Sequence, residues 1–176
     1  VIGYATIYEY RNKLDYTFCN KRWLLDDEMD QEHDTLYGLG FHLPGKFDRV
    51  LDIQKCHLQP EPSNAIRLEV KDYALKHNLT FYNVRAHEGF LRNLIIRNTN
   101  KNEVMVLVQF GYDDNEAIEG LLSHLVKTFP QITSLVYFIN TKKNDTYSDL
   151  EVHSFHGPAY IQEEMENYVR EDEAII

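Results

Sequence analysis

The sequence predicts an α+β fold of antiparallel sheets and two main helices, in the order β-β-β-α-β-β-α-β-β. Three observations carry the prediction. In Val84–Tyr112 two runs rich in β-branched residues, Leu94-Ile95-Ile96 and Val104 to Val108, flank the polar cluster Asn98-Thr99-Asn100-Lys101-Asn102, the pattern of a long hairpin. The stretches that follow Ser63 and Asp113 repeat apolar residues with the 3.6-residue period of a helix face. Between Tyr8 and Trp23, Leu14, Tyr16 and Phe18 share one parity while Lys13, Asp15 and Thr17 take the other, as in a half-buried strand.

Taken in order, Asp26 to Thr35 is an acidic loop or hairpin tip, and Leu36 to Leu43 resumes as a strand. Glycines at 38 and 40 allow a bulge or a close neighbour there, and Pro44-Gly45 ends the strand with turn chemistry. Arg49 to Ile53 is a third short strand that completes an N-terminal antiparallel sheet. Pro60-Glu61-Pro62-Ser63 enters the first helix, with Ser63 or Asn64 as N-cap and Ile66, Val70, Tyr73, Ala74 and His77 on one face. His77-Asn78 closes it, since Asn tolerates the left-handed conformation. In the hairpin that follows, the near-continuous apolar character requires partial cover on both faces. Arg85, Arg92 and Arg97 interrupt its first strand, which marks an end, an edge or a face that meets an anion. Asp113-Asp114-Asn115 caps the second helix, whose stripe Ile118, Leu121, Leu122, Leu125, Val126, Phe129 stops at Pro130. Thr133 to Asn140 is a strand, Thr141 to Thr146 a basic polar loop, Leu150 to Phe155 a last strand, and Tyr160 to Val169 a short acidic helix. The two prolines near 58–62 mark a weak boundary between a sheet over 8–57 and an α/β block over 60–157.

At 176 residues, with 43% hydrophobic and 12% aromatic content, the chain can bury a sizeable core. No apolar run approaches the ~18 residues of a membrane helix and no leader resembles a signal peptide, so a soluble, cytoplasmic protein without a membrane partner is expected. Two cysteines, Cys19 and Cys56, are too few for a disulfide framework. A net charge of −10 excludes a surface that grips nucleic acid everywhere. Acid concentrates in Asp26 to Asp34 and in residues 163–176, whereas Arg11, Lys13, Lys21 and Arg22 cluster near the start, leaving room for a local basic face.

The sequence holds no glycine-rich phosphate loop, no HExxH, no CxxC and no GxSxG elbow. His153 and His156 are three apart, which on a strand puts them on opposite faces and suits a metal poorly. The carboxylates of Asp26 to Asp34 lack the glycine and spacing of a calcium loop and read as a solvated face. Cys56, in VLDIQKCHLQP, reads by itself as an inert packed thiol.

Four separated motifs, YRNKLDYTFCNKRW, LGFHLPGKFDRVLDIQKCHLQPEPSNAIR, EGFLRNLIIRNTNKNEVMVLVQF and SLVYFINTKKNDT, occur in one order with one set of spacings. In them the chain, from about Tyr10 to Met165, resembles the central region of the 23S rRNA (uracil-5-)-methyltransferases of the RumA/TrmA type. The resemblance implies a parent that transfers a methyl group from S-adenosylmethionine to C5 of a uridine in ribosomal or transfer RNA. In that family a TRAM RNA-binding domain and a cysteine-rich segment precede this region, and a Rossmann-like methyltransferase domain follows it. The catalytic cysteine, its general base and the methyl-donor pocket belong to that following domain, so no catalytic residue and no cofactor are expected in this chain. Cys56 matches the family's isolated fourth ligand of a [4Fe–4S] cluster, whose other three cysteines lie upstream. Cys19 stands where a serine or another small residue is expected, and the ending ENYVREDEAII departs from the family's pattern.

On this reading the chain is the RNA-facing central domain, with Arg11, Lys13, Arg92 and Arg97 on backbone phosphates and Tyr10 or Tyr16 stacked on an unpaired base. Its partners are ribosomal or transfer RNA and the TRAM and methyltransferase domains. The competing class is a stand-alone acidic α+β module that binds protein, and a hydrolase built from scattered His and acidic residues stands third.

Overall fold

The apolar runs at 94–96 and 104–108 form the central hairpin. Its strands β4 (Leu91–Asn98) and β5 (Val104–Phe110) pair antiparallel from Leu91↔Phe110 to Asn98↔Val104. Asn102 turns the chain at φ 60°, a left-handed conformation that asparagine tolerates. The computed structural model describes residues 7–164. Around the hairpin it places β1 (Lys13–Cys19), β2 (Gly38–Leu43), β3 (Lys46–Leu51), β6 (Ile132–Ile139) and β7 (His153–His156), in one seven-stranded sheet of order β3-β2-β1-β4-β5-β6-β7. The helices α1 (Ser63–Lys76) and α2 (Asn115–Thr128) complete the α+β fold. Among the described residues no helix is long and apolar enough to cross a membrane.

Strand parity decides what faces the helices. Leu14, Tyr16 and Phe18 of β1 join Leu94 and Ile96 of β4 and Val104, Val106, Val108 and Phe110 of β5 in one buried cluster with Ile66, Val70 and Ala74 of α1 and Ile118, Leu121, Leu122 and Leu125 of α2. Each such side chain contributes about 1.5–3 kcal/mol, so this layer outweighs the surface ion pairs, worth roughly 0–1 kcal/mol each. Both helices lie on this side. On the other side irregular chain packs against β6, where Phe138 stacks on Tyr147 at 5.3 Å, and at the β4–β5 turn Asn100 N donates to the Glu163 carboxylate. Arg67 of α1 is fully buried, donating to the carbonyls of Leu39 (3.3 Å) and Gln54 (3.0 Å) above the Tyr16 ring. Burial lowers the pKa of Arg67 and raises that of Tyr16.

Several expectations are corrected. β5 and β6 run parallel, not as part of a hairpin series, because α2 is a crossover. Its 14 residues span about 21 Å, the length of one strand, and so return the chain to the end where β5 began. The third strand begins at Lys46 rather than Arg49, since Pro44-Gly45 is itself the hairpin loop and Gly45 takes φ 73°. The first strand is confined to Lys13–Cys19, and the last to His153–His156. Ser63 and Asn64 do not cap α1. Ser63 Oγ donates to Asn98, Asn64 holds the backbone of Cys56 through both amide atoms, and the Glu61 carboxylate accepts from Ala65 N in their place. Residues 160–164 are irregular, and the rest of the acidic helix expected over 160–169 lies outside the described residues. The predicted cap of α2 is present, with Asp114 Oδ1 accepting from Ala117 N at 3.1 Å. A Cβ on Gly40 would lie 1.9 Å from the Leu51 carbonyl oxygen, the close neighbour that its glycine implied.

Arg92 sits where the β4–β5 register shifts, between Leu91 and Asn93, and is 2% exposed. Its guanidinium donates to the carbonyls of Asn140 (2.6 Å), Lys142 (2.7 Å) and Asn144 (2.9 Å) and to the Asp145 carboxylate (2.8 Å), and lies 4.2 Å from the Tyr82 ring centroid. A planar fork of donors fits this set of carbonyls, and an ammonium does not. Arg92→Ala is expected to destabilise the chain by about 3 kcal/mol in urea unfolding and to speed amide exchange over 140–146, with Arg92→Lys recovering less than half. Asp145→Ala, at a largely exposed partner, should cost under about 1 kcal/mol.

Within the acidic stretch, Asp26–Glu28 forms a 3₁₀ turn. Glu28 accepts hydrogen bonds from Arg22 Nη1 and Leu25 N, both at 2.9 Å, which hold its pKa down to about 2. A carboxylate lowered in the folded state stabilises above its ordinary pKa of 4.5, and that contribution is lost as pH falls through about 2. An NMR titration should therefore show the Glu28 midpoint near 2, and a higher midpoint in Arg22→Ala that stays below the ordinary carboxylate value because the Leu25 N–H bond remains.

Candidate nucleic-acid interface

A groove of about 520 Å³ opens between the tip of the β2–β3 hairpin, β1 and the β4 bulge. Its apolar lining is Phe18, Cys19, Leu43, Phe47, Tyr82 and Val84, and Thr17, His42, Lys46, Arg92, Asn93 and Asp145 supply polar groups. The tight turn at Gly45 throws Lys46 and Phe47 outward, leaving the Phe47 ring 62% exposed. Arg85 lies over that ring, its guanidinium carbon 5.1 Å from the centroid, and donates from Nε to Asp48 Oδ2 at 2.7 Å. The bond from Arg85 holds the Asp48 carboxyl below the usual range. Cys19 is buried, and its Sγ lies 3.3 Å from the Asp48 carbonyl oxygen, a bond that a serine hydroxyl in its place would also make. Burial pushes the Cys19 thiol up, so it is an inert wall of the groove. A second cavity of about 450 Å³ is lined by Trp23, Leu24, Met29, Lys46 and Arg49, and Lys46 belongs to both.

The structure brings together two of the four basic residues singled out from the sequence. Lys13 and Arg97 are register partners across β1 and β4, so two cations stand side by side. Like charges directly opposite each other destabilise a sheet, here moderated on one side by Asp15, 3.0 Å from Lys13 Nζ. Arg11 is exposed just before β1, with its backbone N–H bonded to the Leu58 carbonyl. Arg92 is at the opposite end of β4, its guanidinium held inside by the 140–145 loop. Tyr16 is fully buried against Phe41 and Arg67 and offers no face to a base, whereas Tyr10 remains exposed. Sequence reasoning passed over Phe47, Lys46 and Trp23. The available signal was a lone aromatic between Lys46 and Asp48-Arg49 directly after Pro-Gly, at a position where a hairpin tip exposes its side chains.

Neither implied cofactor fits the described residues. Cys56 is 6% exposed within the core cluster, and among the described residues no three His, Cys, Asp or Glu side chains converge as a metal site. That is the setting of a packed thiol rather than of an open metal ligand. The parallel β5–α2–β6 unit is where a nucleotide cofactor would be sought. At its turn a Cβ on Gly111 would lie 2.2 Å from the Gly89 carbonyl oxygen, and the cavity there, lined by Gly89, Gly111, Tyr112, Asn140 and Thr141, holds about 210 Å³, below the roughly 300–1,000 Å³ of small-molecule sites. Asp114 beside it is spent on the helix cap.

No family model matches the chain. It is 49% identical over 173 residues to an uncharacterized RNA methyltransferase of Porphyromonas gingivalis, covering 94% of this chain and 37% of that protein. It is 48% identical to one of Bacteroides thetaiotaomicron, covering 94% and 38%. A tRNA (uracil(54)-C(5))-methyltransferase of Pyrococcus horikoshii is 27% identical over 170 residues, covering 96% and 36%. The crystal structure of Pyrococcus abyssi tRNA (uracil-54, C5)-methyltransferase in complex with S-adenosyl-L-homocysteine shares the fold. Its TM-score is 0.63 at 21% identity, over 91% of this chain and 34% of that one. The chain thus spans a little over a third of the length of the curated relatives it matches. Along nearly its whole length, the homologues of this chain are RNA methyltransferases.

Proposed function

We propose that this chain is the RNA-facing central domain of an S-adenosylmethionine-dependent RNA uridine C5-methyltransferase, contributing RNA binding and domain positioning and no catalytic residue. The similarity to RNA methyltransferases supports the substrate class, and the activity named for the P. horikoshii relative supports uridine C5 as the acceptor. On this reading S-adenosylmethionine supplies the methyl group and binds outside this domain, which the small size of the cavity at Gly111 supports.

The observation that carries the role of this chain is the Lys13–Arg97 pair. Asp15 offsets Lys13 alone, so the exposed Arg97 beside it is left to meet an anion from outside, and a phosphate backbone supplies one. Phosphate contacts fix orientation without reading sequence, which suits a domain that presents an RNA to chemistry performed elsewhere.

RNA binding by the full chain should weaken steeply as salt rises. Lys13→Ala and Arg97→Ala should each flatten the plot of log affinity against log salt by about one unit, and Arg11→Ala should act in the same direction. Fragments of 23S rRNA and of tRNA as ligands separate the two RNA classes. Unchanged slopes in the first two variants, or no binding of either RNA at low salt, would favour the acidic protein-interaction module instead.

A further inference from the structure

The groove under the β2–β3 hairpin has a chemistry that phosphate neutralisation alone does not require. Phe47 is a large apolar ring held in water at a hairpin tip, where nothing in the sheet needs it for packing. Arg85 is fixed over it by Asp48 through Nε, which leaves the two terminal amino groups of the guanidinium for another acceptor. Lys46 stands between the Phe47 groove and the Trp23 cavity, with Arg49 on the far side. Aromatic rings alternating with cations along a concavity are the arrangement that tracks a single-stranded nucleic acid, whose bases stack while its phosphates are neutralised.

Resting on the RNA reading above, we propose that this groove is a single-stranded RNA site, in which an unpaired base stacks on Phe47 and the flanking phosphates meet Lys46 and Arg85. The volume of about 520 Å³ admits a base with its ribose. The floor supplies the means to orient it: Asn93 donates its amide to Gln109 Oε1 at 2.7 Å, leaving its own carbonyl oxygen as an acceptor beside Thr17 and His42. A paired base presents no free face to such a groove, so the site selects loops, bulges and ends over duplex. An apolar peptide would use the rings but not the cations around them. A duplex phosphate backbone would use the cations but not Phe47.

The test is fluorescence anisotropy on the full chain with a short fluorescein-labelled oligouridylate at low salt, with duplex RNA of the same length as competitor. Phe47→Ala should weaken oligouridylate binding roughly 5- to 150-fold, the range that loss of base–aromatic stacking gives, with thermal melting unchanged because the ring is exposed. Phe47→Trp should restore binding, Lys46→Ala should weaken it and reduce the salt dependence, and duplex should compete poorly. Wild-type affinity in Phe47→Ala would overturn the groove while leaving the Lys13–Arg97 contact to be read separately from its salt slope. Equal competition by duplex would overturn single-strand selection. Failure of the wild-type chain to bind any RNA would overturn this site together with the reading on which it rests.

Discussion

The antiparallel ladder between β1 and β4, running from Lys13↔Arg97 to Thr17↔Asn93, is the contact on which the rest of the molecule depends. It joins segments far apart in the chain and sets the central hairpin inside the sheet instead of at its edge, where unpaired backbone groups would invite other strands. A one-residue slip would turn Leu14 and Tyr16 away from α1 and α2 and bring Lys13 and Asp15 against them, so the buried layer enforces the register. The same register fixes Lys13 beside Arg97 on the other side. Packing on the helical side therefore dictates electrostatics on the side we propose for RNA.

Two buried arginines extend that order into chain without regular structure. Arg67 bonds the carbonyls of Leu39 and Gln54, tying α1 to β2 and to the segment that leaves β3. Arg92 bonds three carbonyls after β6, and that loop supplies Asp145 to the groove. Buried carbonyls with no strand partner need donors, and a guanidinium can serve several at once where a lysine serves them poorly. The groove is thus built largely from loops and a hairpin tip, yet one of its walls is held by a group in the interior.

The elements that rest on local periodicity were legible in the sequence: the central hairpin, the strip of α2 with its Asp114 cap, and the alternation that puts Leu14, Tyr16 and Phe18 inward. What rests on long-range geometry was not. The parallel β5–β6 pair follows from the matched lengths of α2 and its flanking strands, a relation between elements that no single stretch displays. Arg92 looked like an anion-facing residue because the bulge that turns it inward leaves no signature in LRNLIIRN. Tyr16 was visible as an inward residue by parity, and that parity already argued against its stacking on a base. Lys13 and Arg97 could be named as cations, but their adjacency needed the strand order. Phe47 was hidden in a short strand that appeared to begin two residues later.

The helical side of the sheet is given to core packing, while the Lys13–Arg97 pair lies on the other side and the aromatic groove opens at the β2–β3 hairpin tip, an arrangement that fits the proposed presentation of RNA to a catalytic unit. Photocrosslinking tests this division most directly. With RNA carrying 4-thiouridine at single-stranded positions, peptide mapping should find crosslinks in the segment around Lys46-Phe47 and in strands β1 and β4, and none in α1 or α2. Crosslinks concentrated on the exposed surfaces of α1 and α2, or their absence from the hairpin tip and the β1–β4 strands, would contradict it.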